Sequence, residues 1–245
     1  MKSAKTKKRP QPVLSILIPV YNEENTLNKI LTKTTDLKIS NYEVIIVNDA
    51  SYDKTASIIK KFANSFKSTN VNLSVFTHKI NKGKGAAIKT ALKQAKGEYF
   101  VIQDADLEYD PKDIQPLLNR AITDDLPAVY GSRFLGTIKN MPRANYFANK
   151  FYNFMLRRLY DTDITDMHTC YKLVRTDLMK EFKMQSEGFG YATELVSRLL
   201  KRNVNITDMP INFNGRTKKQ GKKIGVKDGV DCIYMMFKYR FSKSA

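Results

Sequence analysis

Gln103-Asp104-Ala105-Asp106-Leu107-Glu108 directly follows the apolar run Tyr99-Phe100-Val101-Ile102. It places three acids within five residues at the end of what reads as a buried strand. Carboxylates two residues apart in an extended chain project to one side, and their repulsion needs a cation to offset it. Oxygen ligands at this density suit Mg²⁺ or Mn²⁺ rather than zinc, and such an ion could bridge to a phosphate. A solvated acidic turn would explain the triplet equally well if it stood alone.

Other groups could share that chemistry. Arg133 follows Gly131-Ser132, where a guanidinium can either fork onto a phosphate or make an ordinary ion pair. The segment 215–223 carries Arg216, Lys218, Lys219, Lys222 and Lys223, with glycines at 215 and 221. Such a segment is either a solvated loop or a basic flap over a diphosphate. Gly83-Lys84-Gly85 opens a helical pattern, which a tight turn or a phosphate at the helix N-terminus would each explain. It lacks the spacing of a P-loop or a dinucleotide-binding turn. Neither histidine, His78 or His168, neighbours a Ser or Cys in a nucleophile-like setting, and no Gly-x-Ser-x-Gly elbow is present. A Ser/His/Asp hydrolase is therefore not supported.

The elements that must carry these groups alternate. Strands are expected at 14–20, 42–47, 73–77 and 99–102, and helices at 23–34, 53–66 and 84–95. Short Val/Ile-rich runs alternating with helical periods are the pattern of parallel βαβ units. Ligands of such sheets bind beyond the carboxyl ends of the strands. That rule selects the loops Tyr21-Asn22-Glu23, Asn48-Asp49-Ala50-Ser51 and 104–110, all polar and acidic. In the second half, helices are expected at 111–121, 145–159, 191–202 and 226–241. Strands are expected at 128–130, leading into Gly131-Ser132-Arg133, and at 170–174, with 206–213 extended. The last helix places Val226, Val230, Ile233, Phe237 and Phe241 near one face, with Tyr234 beside them. Such a face either lies on a membrane surface or packs on the protein body.

The 245 residues include 42 Lys+Arg and 24 Asp+Glu, for a net charge of +18. Net charges of +5 over residues 1–10 and +7 over 214–245 concentrate the excess at the two ends. Basic ends attract anionic lipid, phosphates or nucleic acid. No nucleic-acid-binding motif accompanies them, and the strand-end loops are acidic, so nucleic acid is not the expected partner. No apolar run approaches the roughly 18–20 residues of a membrane span, and no secretory signal is evident. Cys170 and Cys232 have neither metal nor disulfide-framework spacing, which suits a reducing, cytoplasmic setting. One domain is expected at 13–241, with a nucleotide-binding half at 13–108 and an acceptor half at 109–241. A basic, disordered arm is expected at 1–12.

Taken in order, the motifs resemble the family 2 glycosyltransferases, and among them the dolichyl- and polyprenyl-phosphate sugar synthases. Ile18-Pro19-Val20-Tyr21-Asn22-Glu23 is similar to the first nucleotide-binding loop of that family, and Val47-Asn48-Asp49-Ala50-Ser51 to the second. Asp104-Ala105-Asp106-Leu107 is similar to its metal motif, and Tyr130-Gly131-Ser132-Arg133 to the segment whose arginine meets the acceptor phosphate. Asn48 stands where many members have Asp, and Glu108 where the lipid-phosphate mannose synthases often have Gln. The resemblance implies an α/β protein of GT-A fold, with a Rossmann-like mixed sheet flanked by helices. It implies an inverting, metal-dependent transfer of a sugar from a GDP- or UDP-linked donor to a polyprenyl phosphate. The alternative acceptor is a saccharide or protein hydroxyl, which needs a general base; Asp166 and Glu194 are the candidates. A non-catalytic nucleotide-sugar binder would have less need of the Asp104/Asp106 pair. The resemblance assigns Pro19, Tyr21, Glu23 and Asp49 to the nucleotide, and Asp104, Asp106 and Glu108 to Mg²⁺ or Mn²⁺. It assigns Ser132 and Arg133 to the acceptor, and Arg216, Lys222 and Lys223 to the diphosphate. Asp106, Arg133 and Arg216 would carry catalysis. Basic ends and the last helix would bring the protein to the cytoplasmic face of a membrane.

Overall fold

A computed structural model describes residues 11–180, 184–188, 190–216 and 226–242. Among these residues one seven-stranded sheet runs in the order β3-β2-β1-β4-β6-β5-β7. The strands are β1 (Leu14–Val20), β2 (Tyr42–Asn48), β3 (Val71–Thr77), β4 (Tyr99–Ile102), β5 (Ala128–Lys139), β6 (Lys172–Arg175) and β7 (Ile206–Asn214). β1 to β4 are mutually parallel where they pair. β6 runs antiparallel to both β4 and β5, and β7 runs parallel to β5. Two reversals cancel, so β5 points the same way as β4. Its residues Gly131-Ser132-Arg133 therefore reach the edge of the sheet where Asp104 and Asp106 stand.

β1, β2 and β4 are buried along their whole lengths, as strands covered by helices on both faces must be. The helices are α1 (Leu27–Thr35), α2 (Thr55–Ser65), α3 (Lys84–Gln94), α4 (Ile114–Thr123), α5 (Arg143–Tyr160), α6 (Thr176–Lys180), α7 (Tyr191–Lys201) and α8 (Val226–Phe241). A 3₁₀ turn at Pro111–Asp113 leads into α4.

Two helices start later than their periodicity predicts, for one shared reason. The loops after β1 and β2 are sewn together. The Asn22 N–H donates to Ser51 Oγ (3.0 Å), the Glu23 N–H to Thr55 Oγ1 (2.9 Å) and the Tyr52 N–H to Asn22 Oδ1 (3.1 Å). The backbone that would begin α1 is thus spent on holding two site loops in register. β5 departs further: Arg133 lies inside a strand of 12 residues rather than after a short one. Gly131 and Gly136 break the apolar pattern there. A Cβ on Gly136 would stand 2.0 Å from Ile211 O, and one on Gly131 would stand 2.7 Å from Ile211 Cγ2. The glycines are what let β7 approach. We expect Gly136→Ala to cost at least ~1–3 kcal/mol in a urea unfolding titration, because the added methyl meets backbone that cannot yield.

Candidate active site

A cleft of about 800 Å³ opens at the carboxyl ends of β1, β2, β4 and β5. Pro19, Tyr21, Glu23, Asp49, Asp104, Asp106, Glu108, Arg133 and Arg216 all line it, so the residues nominated from sequence converge. A wider groove of about 1520 Å³ lies at the opposite strand ends. Its buried Glu43 already accepts from Ser15 Oγ (2.6 Å) and the Lys96 N–H (2.6 Å), as a structural carboxylate does.

The acidic centre is held by two cations. Lys84 Nζ lies 2.5 Å from Asp104 Oδ1. Arg216 Nη2 donates to Asp106 Oδ2 (2.8 Å), its Nη1 to Glu23 Oε1 (3.0 Å), and its backbone N–H to Glu108 Oε1 (2.7 Å). Leu107 takes φ 62°, an uncommon left-handed turn for a bulky residue. That turn lets the Glu108 N–H cap Asp106 Oδ1 at 3.1 Å. Burial, with Asp104 and Glu108 adding repulsion, pushes the Asp106 carboxyl up to about 7 despite Arg216. Burial would lower the Lys84 ammonium, but Asp104 overrides it and holds that group well above its ordinary value.

The second cation cluster stands across the cleft. The Arg133 Nε and Nη2 fork onto Asp166 (2.7 and 2.8 Å), and the Arg133 N–H donates to the same carboxylate at 3.0 Å. Arg133 Nη2 also faces Asn149 Oδ1 at 3.5 Å, and His168 Nδ1 faces that oxygen at 3.3 Å. Burial, with Lys172 and Arg133 nearby, takes the imidazole of His168 down to about 3, so it is neutral. Burial would raise the Asp166 carboxyl, but Arg133 outweighs it and the carboxyl stays below its ordinary value.

Several sequence assignments change. Ser132 is fully buried and accepts from Thr165 Oγ1 at 2.6 Å, away from the cleft. Neighbouring strand residues face opposite ways, so the strand that offers Arg133 to the cleft withdraws Ser132. Asp49 lines the cleft, but its oxygens accept from the Lys82 and Gly83 N–H groups (3.0 and 2.7 Å) and meet His78 Nδ1 at 2.6 Å. Neither base candidate is available. Asp166 is committed to Arg133. Glu194, fully buried, takes Arg198 Nε (2.9 Å) and the N–H groups of Gln185 and Ser186. Gly83 and Gly85 serve close packing: a Cβ on Gly83 would stand 2.6 Å from Glu187 O, and that carbonyl accepts the Ala86 N–H of α3. Lys222, Lys223 and the arm 1–10 lie outside the described residues. Lys84, Asn149, His168 and Tyr191 also line the cleft and were not singled out for it. Only Lys84 carried a signal, its place between two glycines.

Comparison with known proteins decides the family. The model for "Glycosyl transferase family 2" matches residues 15–182. This chain is a family 2 glycosyltransferase. A dolichyl-phosphate beta-glucosyltransferase of Dictyostelium discoideum is 25% identical over 92% of the chain and 74% of its own length. A dolichol-phosphate mannosyltransferase of Pyrococcus furiosus is 26% identical over 92% of the chain, which spans 64% of that relative. Glucosyl-3-phosphoglycerate synthase from Mycobacterium tuberculosis, in complex with UDP, superimposes with a TM-score of 0.72. It is 14% identical, with 94% of this chain and 80% of that one covered. The fold of this family 2 transferase is therefore GT-A.

The raised Asp106 carboxyl has a consequence for stability. The folded state binds more protons than the unfolded chain between the ordinary Asp value of about 3.9 and about 7, so this group erodes stability as pH rises through that window. We expect Asp106→Asn to lose transfer activity with Mg²⁺ or Mn²⁺ present, yet in EDTA to unfold later than the wild type at pH 8. Denaturant midpoints at pH 5 and pH 8 check this, and the gain should shrink at pH 5.

Proposed function

We propose that this glycosyltransferase moves a hexosyl group from a nucleotide-diphospho-sugar to a polyprenyl phosphate. One observation carries the reading. Arg133 lines the cleft opposite Asp104 and Asp106, while both carboxylates that could act as a base for a hydroxyl acceptor are buried in ion pairs. A phosphate acceptor is already an anion and needs no base. The names of the D. discoideum and P. furiosus relatives support a dolichyl-phosphate acceptor, and their different sugars leave the donor open between UDP- and GDP-linked forms.

Asp104 and Asp106, with Glu108, would hold Mg²⁺ or Mn²⁺. The donors are of the right kind, carboxylate oxygen throughout, although among the described residues no three of them are gathered closely enough to hold an ion as they stand with Arg216 and Lys84 between them. Structures of the M. tuberculosis enzyme with UDP include complexes with Mn²⁺ and with Mg²⁺. A bound ion would supply a Lewis acid for the departing diphosphate. The chain's own residues do the rest. Tyr21 and Pro19 wall the nucleotide side, and Arg216 meets diphosphate charge. Arg133, fixed in direction by Asp166, holds the acceptor phosphate so that its oxygen attacks the anomeric carbon opposite the leaving group, giving inversion.

The surface suits a membrane-borne acceptor. Among the described residues no helix is long and apolar enough to cross a membrane. α5 contains no acid and carries Arg143, Lys150, Arg157 and Arg158, with Phe147, Phe151 and Phe154 at least half exposed. α8 packs beside it through Tyr160 Oη donating to Met236 O (2.9 Å). α8 buries Cys232, Met236 and Tyr239 while exposing Val230, Tyr234, Phe237 and Phe241. One face of the helix therefore packs on the protein body, and the other stays exposed and open to a membrane surface. Aromatic and basic side chains together suit the headgroup zone of an anionic leaflet on the cytoplasmic side.

Incubation with radiolabelled UDP- and GDP-sugars and short polyprenyl phosphate tests the reaction. We expect one donor to label the lipid, and Arg133→Ala to lower kcat/KM for the lipid by about 10²–10³-fold while nucleotide-sugar affinity holds. Transfer to a soluble hydroxyl acceptor with none to the lipid would overturn the proposal. Phe147→Ser/Phe151→Ser should weaken flotation with phosphatidylglycerol vesicles and leave transfer to a detergent-solubilised short acceptor unchanged.

A further inference from the structure

Arg216 stands in the middle of the acidic centre. Its Nη1 bonds both oxygens of Glu23 (3.0 and 3.2 Å), its Nη2 bonds Asp106 Oδ2 (2.8 Å), and its backbone N–H bonds Glu108. Among the described residues no other cation forms an ion pair with Glu23, Asp106 or Glu108, since Lys84 is engaged with Asp104. Arg216 Nε is buried without a hydrogen-bond partner and lies 4.0 Å from Glu108 Oε1. The guanidinium is therefore gripped at its two ends and left unsatisfied between them.

A guanidinium keeps its charge at every working pH and has no lone pair to give a metal. A divalent ion on Asp106 would draw on the oxygens that Arg216 now uses, and would bring two positive centres within a few ångströms of each other. We infer that Arg216 is a resident counter-cation. It holds Glu23, Asp106 and Glu108 together before a divalent ion binds, and the ion binds Asp106 only by displacing it. The freed guanidinium then has a new anion to take, the diphosphate that arrives with the ion. Metal alone therefore binds weakly, because nothing compensates Arg216 for the carboxylates it gives up. This inference rests on the metal reading above.

Electron paramagnetic resonance of free Mn²⁺, titrated with protein at pH 7.5 and without nucleotide, tests it. Because the ion no longer has to break the charged hydrogen bond to Asp106, Arg216→Gln should bind Mn²⁺ roughly tenfold or more tightly than the wild type. Arg216→Lys keeps the charge but cannot fork, and should gain only about two- to threefold. Lys33→Gln, which removes a cation bound to Asp110 at 2.9 Å, should change nothing, and adding Asp106→Asn to Arg216→Gln should abolish the gain. Equal or weaker Mn²⁺ binding by Arg216→Gln, with measurable binding by the wild type, would overturn the displacement and leave the metal reading standing. No Mn²⁺ binding by either protein, with undiminished lipid transfer in EDTA, would overturn both.

Discussion

Like charges that must stand together govern this molecule. Glu23 follows β1, and Asp104, Asp106 and Glu108 follow β4, a neighbouring parallel strand that delivers its carboxyl end to the same place. Burial, with repulsion from Asp104 and Glu108 added to it, lifts Asp106 to about 7 even with Arg216 beside it. The surrounding structure can be read as the means of tolerating that crowding. Lys84 neutralises one acid from the start of α3. Arg216 spans the others from the end of β7, the far edge strand of the sheet. The left-handed turn at Leu107 and the stitched loops after β1 and β2 keep the backbone from relaxing away. Such a centre favours any ligand that brings positive charge into it.

The opposite wall follows different rules. There Arg133 is paired with the fully buried Asp166, and behind that wall Arg198 is paired with the fully buried Glu194. Removing either partner of such a pair leaves an uncompensated buried charge, at roughly 3–5 kcal/mol. These ion pairs therefore behave as fixed scaffolding. Arg133 is aimed by Asp166 and flanked by Asn149, and the neutral ring of His168 adds no further charge to the acceptor side. One side of the cleft is electrostatically strained and the other is settled, which is a division suited to binding a donor that moves charge and an acceptor that must only be held.

Much of this was legible in the residue order. The βαβ period, the three acidic strand-end loops and the Asp104/Asp106 pair follow from local pattern, because strand alternation and charge spacing are local properties, while Arg133 and Arg216 were singled out for the site by the resemblance. What escaped was set by distant partners. The full length of β5 depends on Ile211 approaching Gly131 and Gly136, some 75–80 residues away in the chain. The roles of Asp166 and Glu194 depend on which cation folding brings to them, so an acid that reads as a spare base is in fact consumed. Ser132 was placed with Arg133 by sequence adjacency, although adjacency in a strand means opposite faces. The two-faced character of α8 was hidden because its apolar residues outnumber what one buried face needs.

The short antiparallel strand β6 joins the two walls. It meets β4 through only Tyr99↔Arg175 and Phe100↔Val174, and meets β5 through three pairs. The loops after β1, β2 and β4 lie on one side of this join and the strand that carries Arg133 on the other, with Arg216 reaching back across it from the end of β7. A seam this narrow lets the two sides diverge at different rates. Substitutions that reshape the Arg133 wall need to preserve those few backbone pairings and the reach of Arg216 to leave the acidic wall intact. Evolution can then change what receives the sugar while keeping the machinery that activates it, and chimaeras cut at β6 offer a natural starting point for redirecting it by design.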